Sequence, residues 1–269
     1  MIFSSIEQGR TAREVERQIE ALVLEGVLRA GDRLPGEREL SKALNVSRPI
    51  LREALSSLEE SKLLVTRHGE GTVVADVIGT IFAPPIVDLI SANAKAKADY
   101  LEYRREIEGT TAAMAAERAT SEDRAMLARI MNDMKAAHEA QNSEQEAELD
   151  VEFHTAICEC AHNIILLHTL RSCYRLLADD VFHNRALIYE ASGSRQHLFD
   201  QHVAIYEAVL ASDRAAAEKA ARDHIVYVER TTREVERQSE WKTISALRLA
   251  QRDEQDAGRN RRASRKQNG

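Results

Sequence analysis

The chain has 269 residues, of which 43% are hydrophobic, 30% charged and 4% aromatic, and its formal net charge is −7. This length predicts two domains, and the scarcity of glycine, proline and aromatic residues predicts a mostly helical protein. The net charge argues against a globally basic nucleic-acid binder, and the lack of a signal-peptide core or an apolar run of roughly 18 residues argues against a secreted or membrane-spanning protein.

The first part of the chain shows the spacing of a small mixed domain, which we place at residues 8–76. Apolar periodicity predicts three helices and then two short strands, over residues 10–26, 37–43, 47–60, 63–66 and 72–74. Ser47 is a suitable N-cap for the third helix, and Pro49 falls in its first turn, where a missing N–H costs little. Residues 68–71 lie between the strands as a hairpin tip. This order predicts a winged helix-turn-helix, whose third helix would enter the major groove of DNA.

Three motifs in this domain resemble those of a known family. They are Leu-Pro-Gly-Glu-Arg-Glu-Leu at residues 34–40, Val-Ser-Arg-Pro-Ile-Leu-Arg-Glu-Ala-Leu at residues 46–55, and His-Gly-Glu-Gly-Thr at residues 68–72. On these motifs the domain resembles the GntR superfamily of bacterial transcription regulators. The resemblance covers most of the domain without a gap and implies a DNA-binding regulator.

Seven residues of this domain are candidates for contact with DNA. Arg48 and Arg52 are four residues apart, so they share one side of the third helix, and arginine can donate two hydrogen bonds to guanine. The Ser47 hydroxyl and the helix N-terminus suit a phosphate. By resemblance, the family's DNA-contacting positions are Arg38, Ser47, Arg48, Pro49, Arg52, His68 and Gly69. The alternative is that the arginines are solvated surface charges paired with Glu39 and Glu53.

A linker, a helical domain and a basic tail follow. Pro84 and Pro85 block a helix in residues 77–98, which we predict to be the linker. The periodicity of residues 99–239 predicts an antiparallel bundle of six helices, over residues 99–118, 121–141, 144–161, 164–189, 194–211 and 213–239. Residues 256–269 are polar and rich in arginine, so we predict a disordered basic tail. The expected fold class is mostly α, with a winged helix-turn-helix ahead of an all-α antiparallel bundle.

Four polar residues lie on the apolar faces of three predicted bundle helices. Asp150 and His154 are one turn apart on one face, and His202 and His224 each lie at the centre of an apolar stripe. Buried polar groups need partners, and three imidazoles with one carboxylate suit a divalent cation. We predict that the four residues bind Zn²⁺, with Ni²⁺, Mn²⁺ or Co²⁺ as alternatives. The other interpretation is a set of ordinary core histidines joined by hydrogen bonds.

The bundle also resembles a known effector domain. The segments that carry the likeness, all within residues 99–230, are 104–108, 117–120, 150–154 and 201–205. They resemble the FCD domain of the FadR-type branch of the GntR superfamily, whose metal positions match the four residues above. Arg104 lies on the inward face of the first bundle helix and suits a carboxylate, so it is the candidate effector-binding residue. The alternative is a structural ion pair with Asp150 or Glu108.

Together these features predict a transcription regulator and not an enzyme. The metal and Arg104 imply a small carboxylate effector, such as a hydroxy acid, a keto acid or a sugar acid, and the family's usual logic implies a repressor that the effector releases. One recognition helix reads one half-site, so we expect a homodimer on a palindromic operator in double-stranded DNA. The three cysteines, an odd number, suit reduced thiols in the cytoplasm. The alternatives are a DNA binder with a purely structural metal site and a metalloenzyme fused to a DNA-binding head.

Overall fold

The structure is a computed structural model that describes residues 2–6, 11–67, 69, 71–76, 89–90, 93–176, 188–189 and 193–267. Its helices and strands are α1 (Ala12–Leu24), α2 (Glu37–Leu44), α3 (Arg48–Glu60), β1 (Leu64–Arg67), β2 (Gly71–Val74), α4 (Ala94–Arg118), α5 (Ser121–Glu139), α6 (Ser143–Cys160), α7 (Ile164–Leu176), α8 (Ser194–Leu210) and α9 (Arg214–Gln267). The predicted fold class is confirmed, because a small two-stranded sheet follows three helices and further helices make up most of the remaining described residues.

The N-terminal helices and strands form a winged helix-turn-helix, which we call the head. Strands β1 and β2 pair in antiparallel register, with Val65 opposite Val73. Between α2 and α3 the chain turns at Asn45, whose φ of 57° lies in the left-handed region that asparagine tolerates. The three helices and β1 share one apolar core, which includes Val15, Ile19, Leu40, Leu44, Leu51, Leu58 and Leu64. This core holds α3 by its apolar side and leaves its other side at the surface.

The C-terminal helices form an all-α bundle. Helix α9 packs along α4 and α8, α5 packs on α6, and α6 also contacts α4 and α7. Thr120 begins α5 with a capping box, in which its hydroxyl accepts from the Asp123 amide at 3.1 Å. The bundle core combines alanines on α4 and α9 with larger side chains on α5, α6 and α8, including Leu127, Met131, Phe153, Ile205 and Val209.

Helix α4 begins earlier than the sequence analysis predicts. It starts at Ala94 rather than residue 99, because the Asn93 side chain accepts a hydrogen bond from the Ala96 amide at 3.0 Å and caps the helix. Alanine and lysine then continue it, although their small and polar character resembled a linker. Of the predicted linker, residues 77–88 and 91–92 lie outside the described residues, as do residues 177–187 of the helix predicted over 164–189.

Helix α9 extends much further than predicted. It runs to Gln267, past the expected end at residue 239 and through residues 256–267, which were predicted to be disordered. No glycine or proline occurs between residues 214 and 257, and good helix formers fill the segment, so nothing in the chain stops the helix there. Trp241 and Leu247 are 58% and 66% exposed, so this part of α9 lies outside the bundle core.

The head contacts the bundle near the end of α1. Arg29 pairs with Glu159 at the end of α6, with Nη2 2.9 Å from Oε1. His168 on α7 donates through Nε2 to the Leu24 carbonyl at 2.8 Å. Gly26 has a φ of +72°, a left-handed conformation that favours glycine, and a Cβ there would lie 2.6 Å from a guanidinium nitrogen of Arg171, so a larger residue would force that side chain to move.

Candidate metal centre and nucleic-acid interface

The predicted DNA-contacting residues lie on the surface of the head. Leu51, Ala54 and Leu58 bury one side of α3, while five of the predicted residues are exposed on α2 and at the start of α3, namely Arg38, Ser47, Arg48, Pro49 and Arg52. Exposed arginines beside a helix N-terminus can reach both base edges and phosphates. Gly69 is exposed in the turn between the strands with a φ of 83°, and His68 lies outside the described residues.

Two details of α3 differ from the expected contacts. Ser47 occupies the N-cap position, but its side chain makes no capping hydrogen bond, so the hydroxyl is not committed to the helix. Arg52 donates through Nε to Glu37 at 2.9 Å, whereas the sequence analysis considered Glu39 and Glu53 as its partners. The pair is well exposed, and such pairs contribute little to stability, so Arg52 can exchange Glu37 for another acceptor.

Arg33 is a further exposed cation that the sequence analysis did not single out. It forms a bridge with Val73 on β2, and a Cβ on Gly71 would lie 3.3 Å from its Nε. Its guanidinium therefore lies against the wing. Only the pairing of the segment before α2 with β2 brings it there, and that pairing leaves no signal in the sequence.

The four predicted metal ligands come together inside the bundle. Helix α6 supplies Asp150 and His154, α8 supplies His202 and α9 supplies His224, and each side chain is buried. One candidate ligand atom from each residue lies within 4.8 Å of all the others. The four side chains therefore converge, as their one-turn spacing on α6 and their places in the apolar stripes of α8 and α9 predict.

The distances among Asp150, His154 and His202 match those of donors around a single cation, and the full set of four ligand atoms spans up to 4.8 Å. His202 Nε2 lies 2.9 Å from Asp150 Oδ1, His154 Nε2 lies 3.5 Å from the same oxygen, and the two imidazole nitrogens are 3.4 Å apart. Donors that share one Zn²⁺ at about 2.0–2.2 Å are separated by about 3–3.5 Å, because they surround the same ion. Three nitrogens and one carboxylate also have the chemistry that Zn²⁺, Ni²⁺, Mn²⁺ and Co²⁺ accept.

Two side chains outside the cluster hydrogen-bond the Nδ1 atoms of two of the three imidazoles. His154 Nδ1 lies 2.9 Å from Glu108 Oε2, and His224 Nδ1 lies 3.1 Å from Gln201 Oε1. In each ring, Nε2 is then the candidate ligand atom. From the sequence, Glu108 is expected only as a partner for Arg104, and no role is expected for Gln201.

Opposite charges shift the pKa values of the buried groups. Burial disfavours a charged imidazole, but the carboxylates of Glu108 and Asp150 outweigh it and raise the pKa of His154 to about 9. Burial also disfavours a charged carboxylate, but Arg104 and His154 outweigh it and lower the pKa of Glu108 to about 2. Without a cation, His154 is therefore an imidazolium between two carboxylates at neutral pH, and a metal must displace its Nε2 proton.

Arg104 is buried on α4, where it forms an ion pair with Glu108. Its Nε donates to Glu108 Oε1 at 2.5 Å, and its guanidinium carbon lies 5.8 Å from the ring centre of Tyr100 and 5.3 Å from that of Tyr174. The ion pair considered as an alternative is therefore present, with Glu108 and not Asp150. Arginine has five N–H donors, so one bond to Glu108 leaves four that can donate to other acceptors.

Two small cavities border the polar centre. One, with a volume of about 10 Å³, is lined by Glu108, His154 and Tyr174. The other, of about 20 Å³, is lined by His202, Arg195 and neighbouring side chains. The hydroxyl of Tyr174 is buried and has no hydrogen-bond partner among the described residues, which is costly unless a ligand or water supplies one. The first cavity thus presents a polar group that a ligand could satisfy.

Among the described residues, no helix is both long and apolar enough to cross a membrane.

Two protein families match the chain. The family described as "Bacterial regulatory proteins, gntR family" matches residues 11–74, and the FCD domain matches residues 99–227. The first match covers the three helices and the wing of the head, and the second covers the bundle from α4 into α9, including all four residues of the polar cluster.

Known proteins align with most of the chain. It is 34% identical over 239 residues to the Glc operon transcriptional activator of Escherichia coli K12, which covers 87% of this chain and 94% of that protein. It is 36% identical over 229 residues to the putative L-lactate dehydrogenase operon regulatory protein of the same strain, covering 82% and 86% respectively. A solved structure described as Streptococcus agalactiae GntR is 25% identical, covers 82% of this chain and 99% of that one, and has a TM-score of 0.47.

Proposed function

The chain belongs to the gntR family of bacterial regulatory proteins and carries an FCD domain, and on that premise we propose how it works. It is a DNA-binding transcription regulator and not an enzyme, in keeping with the relatives named above. We propose that residues 8–76 bind the operator in the cytoplasm, that residues 99–239 sense a small carboxylate through a bound metal, and that residues 77–98 join the two.

One observation carries the sensing proposal: four metal-ligand atoms and a buried arginine occupy the same interior. Asp150, His154, His202 and His224 would hold one divalent cation, with Zn²⁺ as the first choice and Ni²⁺, Mn²⁺ or Co²⁺ as alternatives. Arg104 is linked to this centre through Glu108, which contacts both Arg104 and His154. A carboxylate in this interior could bind the cation with one oxygen and Arg104 with the other.

The cavity beside Tyr174 limits the size of the effector. Its volume of about 10 Å³ holds little more than a water molecule, so a short acid could enter only if the lining side chains move, and a long acyl chain would not fit. The unsatisfied Tyr174 hydroxyl would donate to a second oxygen of that acid. A hydroxy acid, keto acid or sugar acid has the required groups. The name of one relative refers to an L-lactate dehydrogenase operon, which agrees with a hydroxy acid.

The head supports a palindromic operator and a homodimer. Each chain presents one α3, which reads one half-site, so a second copy is needed for the other half-site. Arg48 and Arg52 would read base edges, Ser47 and Pro49 would lie at the phosphate backbone, and the wing around Gly69 would approach the minor groove. We propose that the effector relieves repression. One relative is named an activator, so a reporter gene under the operator should be used to distinguish repression from activation.

The experiment is a thermal-shift screen of the zinc-loaded protein with glycolate, L-lactate, pyruvate, a sugar acid and a dicarboxylate. At least one acid should raise the melting temperature and change operator affinity, measured by fluorescence anisotropy, while a fatty acyl-CoA should do neither. The Arg104→Lys variant is the matched control, because it keeps the charge beside Glu108 but loses the planar fork; its zinc content should stay and its response to the acid should weaken.

A purely structural metal site is the competing function, and the Arg104–Glu108 ion pair favours it because that pair already satisfies both charges. In that case zinc raises the melting temperature, none of the acids does, and operator affinity is the same with and without them. Such a result would contradict the sensing proposal and leave the DNA-binding regulator intact.

A further inference from the structure

We propose that Glu108 is a positioning residue for the metal centre, which it serves by holding the His154 imidazole in the orientation and tautomer that bind a cation. This inference rests on the proposed metal site and names a residue outside the four candidate ligands. Its Oε2 lies 2.9 Å from His154 Nδ1, on the far side of the ring from Asp150 and His202.

The need for such a residue follows from the chemistry of imidazole. A neutral histidine carries its proton on one nitrogen and can bind a metal only through the other. A carboxylate that accepts from Nδ1–H keeps the proton on that atom and leaves Nε2 for the metal. His154 Nε2 is the atom that lies 3.4 Å from His202 Nε2 within the cluster, so the hydrogen bond to Glu108 selects the correct nitrogen.

Glu108 is itself held in place from its other side. Arg104, one turn earlier on α4, donates through Nε to Oε1 at 2.5 Å, so each oxygen of the carboxylate has a different partner. The Glu108 side chain is only 5% exposed, which leaves little opportunity for water to replace either contact. The rigid α4 therefore sets the position of the carboxylate, and the carboxylate sets the position of a ring on α6.

The arrangement also separates two roles among the buried carboxylates. Asp150 Oδ1 faces the Nε2 atoms of two histidines and is one of the four candidate ligands. Glu108 faces Nδ1 of His154 and is not one of those four. Gln201 makes the equivalent contact to His224 with a neutral amide. Glu108 is thus the charged member of a pair of outer contacts and should have the larger effect on metal affinity.

The test measures zinc affinity by competition with a chromophoric chelator in the full-length protein. Glu108→Gln should lower the affinity about 10- to 100-fold, the range found for such outer contacts, while one ion per chain still binds at saturation. Glu108→Asp keeps the charge opposite Arg104 but is one methylene shorter, so it should also bind zinc more weakly and remain folded. Glu102→Gln, an exposed change on the same helix, should leave the affinity unchanged.

A second readout follows the hydrogen bond from His154 to Glu108 directly. In the zinc-loaded wild type, nitrogen-15 NMR of the imidazoles should show His154 protonated at Nδ1 with slow exchange of that proton, and in zinc-loaded Glu108→Asp the same proton should exchange faster. Protonation at Nε2, or wild-type affinity in both Glu108 variants, would overturn the inference and leave the metal site standing. Failure of the wild type to bind zinc would instead overturn the proposed metal site and this inference with it.

Discussion

The two polar sites of this regulator differ in solvent exposure, because one lies at the surface of the head and the other inside the bundle. In the head, Arg38, Arg48 and Arg52 are exposed, and Arg52 has one contact that it can exchange. In the bundle, His202 and His224 are only 1% and 2% exposed and belong to a closed set of contacts. An exposed arginine is solvated by water and needs no partner in the protein, so its conformation is set when it contacts DNA. A buried imidazole must be satisfied within the protein, so the protein fixes its position before any ligand binds.

The largest expected effect is the loss of a ligand from the buried set. His202→Ala should reduce zinc affinity by more than the roughly 10–100-fold cost of losing an outer contact, because three donors cannot rebuild the coordination. It should also abolish the effector response and preserve operator binding by the head. Isothermal titration with zinc measures the first effect and fluorescence anisotropy the second. Glu207→Ala, an exposed change on the same helix, is the control; a similar loss there would show that the effect is general to α8.

The second expected effect is a strong pH dependence of metal binding. The raised pKa of His154, about 9, means that its Nε2 proton competes with the metal throughout the neutral range. Zinc affinity should therefore fall by about tenfold per unit as the pH drops below 9, and this histidine should add no further dependence above 9. Chelator competition between pH 6 and pH 9 measures the slope. A flat profile from pH 7 upward would mean that Glu108 and Asp150 do not hold His154 in its charged form.

A smaller effect is expected in the head. Arg48→Ala should cost about 1–3 kcal/mol of specific operator binding, or about 5- to 150-fold in affinity, if the side chain makes two hydrogen bonds to a guanine. Zinc content should not change, since the two sites share no side chain. Arg17→Ala removes the same charge from the exposed face of α1 and serves as the control. Equal operator affinity in the wild type and the Arg48 variant would remove α3 from the recognition surface.

The smallest effect concerns the acid beside Arg52. Glu37→Gln removes a negative charge near the expected DNA and releases Arg52, so operator affinity should rise, by about fivefold at most, since exposed ion pairs contribute about 0–1 kcal/mol. Anisotropy at two salt concentrations measures it. A fall in affinity would instead show that Glu37 orients Arg52 for recognition. The position of Arg52 would then be set by the protein before DNA binds, as it is for the buried histidines.

The sequence predicted most of this architecture because helical periodicity reports which face is buried. Asp150 and His154 share a face by spacing alone, and two lone histidines in apolar stripes had to point inward. Contacts that depend on the packing of distant segments were harder to predict. Glu108 and Gln201 acquire their roles only once α4 lies against α6 and α8 against α9, and Arg33 reaches the wing only through pairing with β2.

The predicted boundaries of two helices were wrong where the composition fitted more than one structure. The small polar residues before residue 99 suited either a linker or a helix, and the Asn93 cap decided for a helix. The arginine-rich residues after 255 suggested disorder, but no proline or glycine separates them from the bundle helix before residue 258, and α9 continues to Gln267. In both places local helix propensity prevailed over average polarity.

The most direct test of the central claim is the metal content of two purified proteins after loading with zinc and removal of the excess. Elemental analysis should find one ion per chain in the wild type and none in the His154→Ala/His202→Ala double variant, while both proteins bind the same operator fragment through the head. Equal metal content in the two proteins, or no metal in either, would mean that the four buried residues are ordinary core side chains and that this regulator senses its effector in another way.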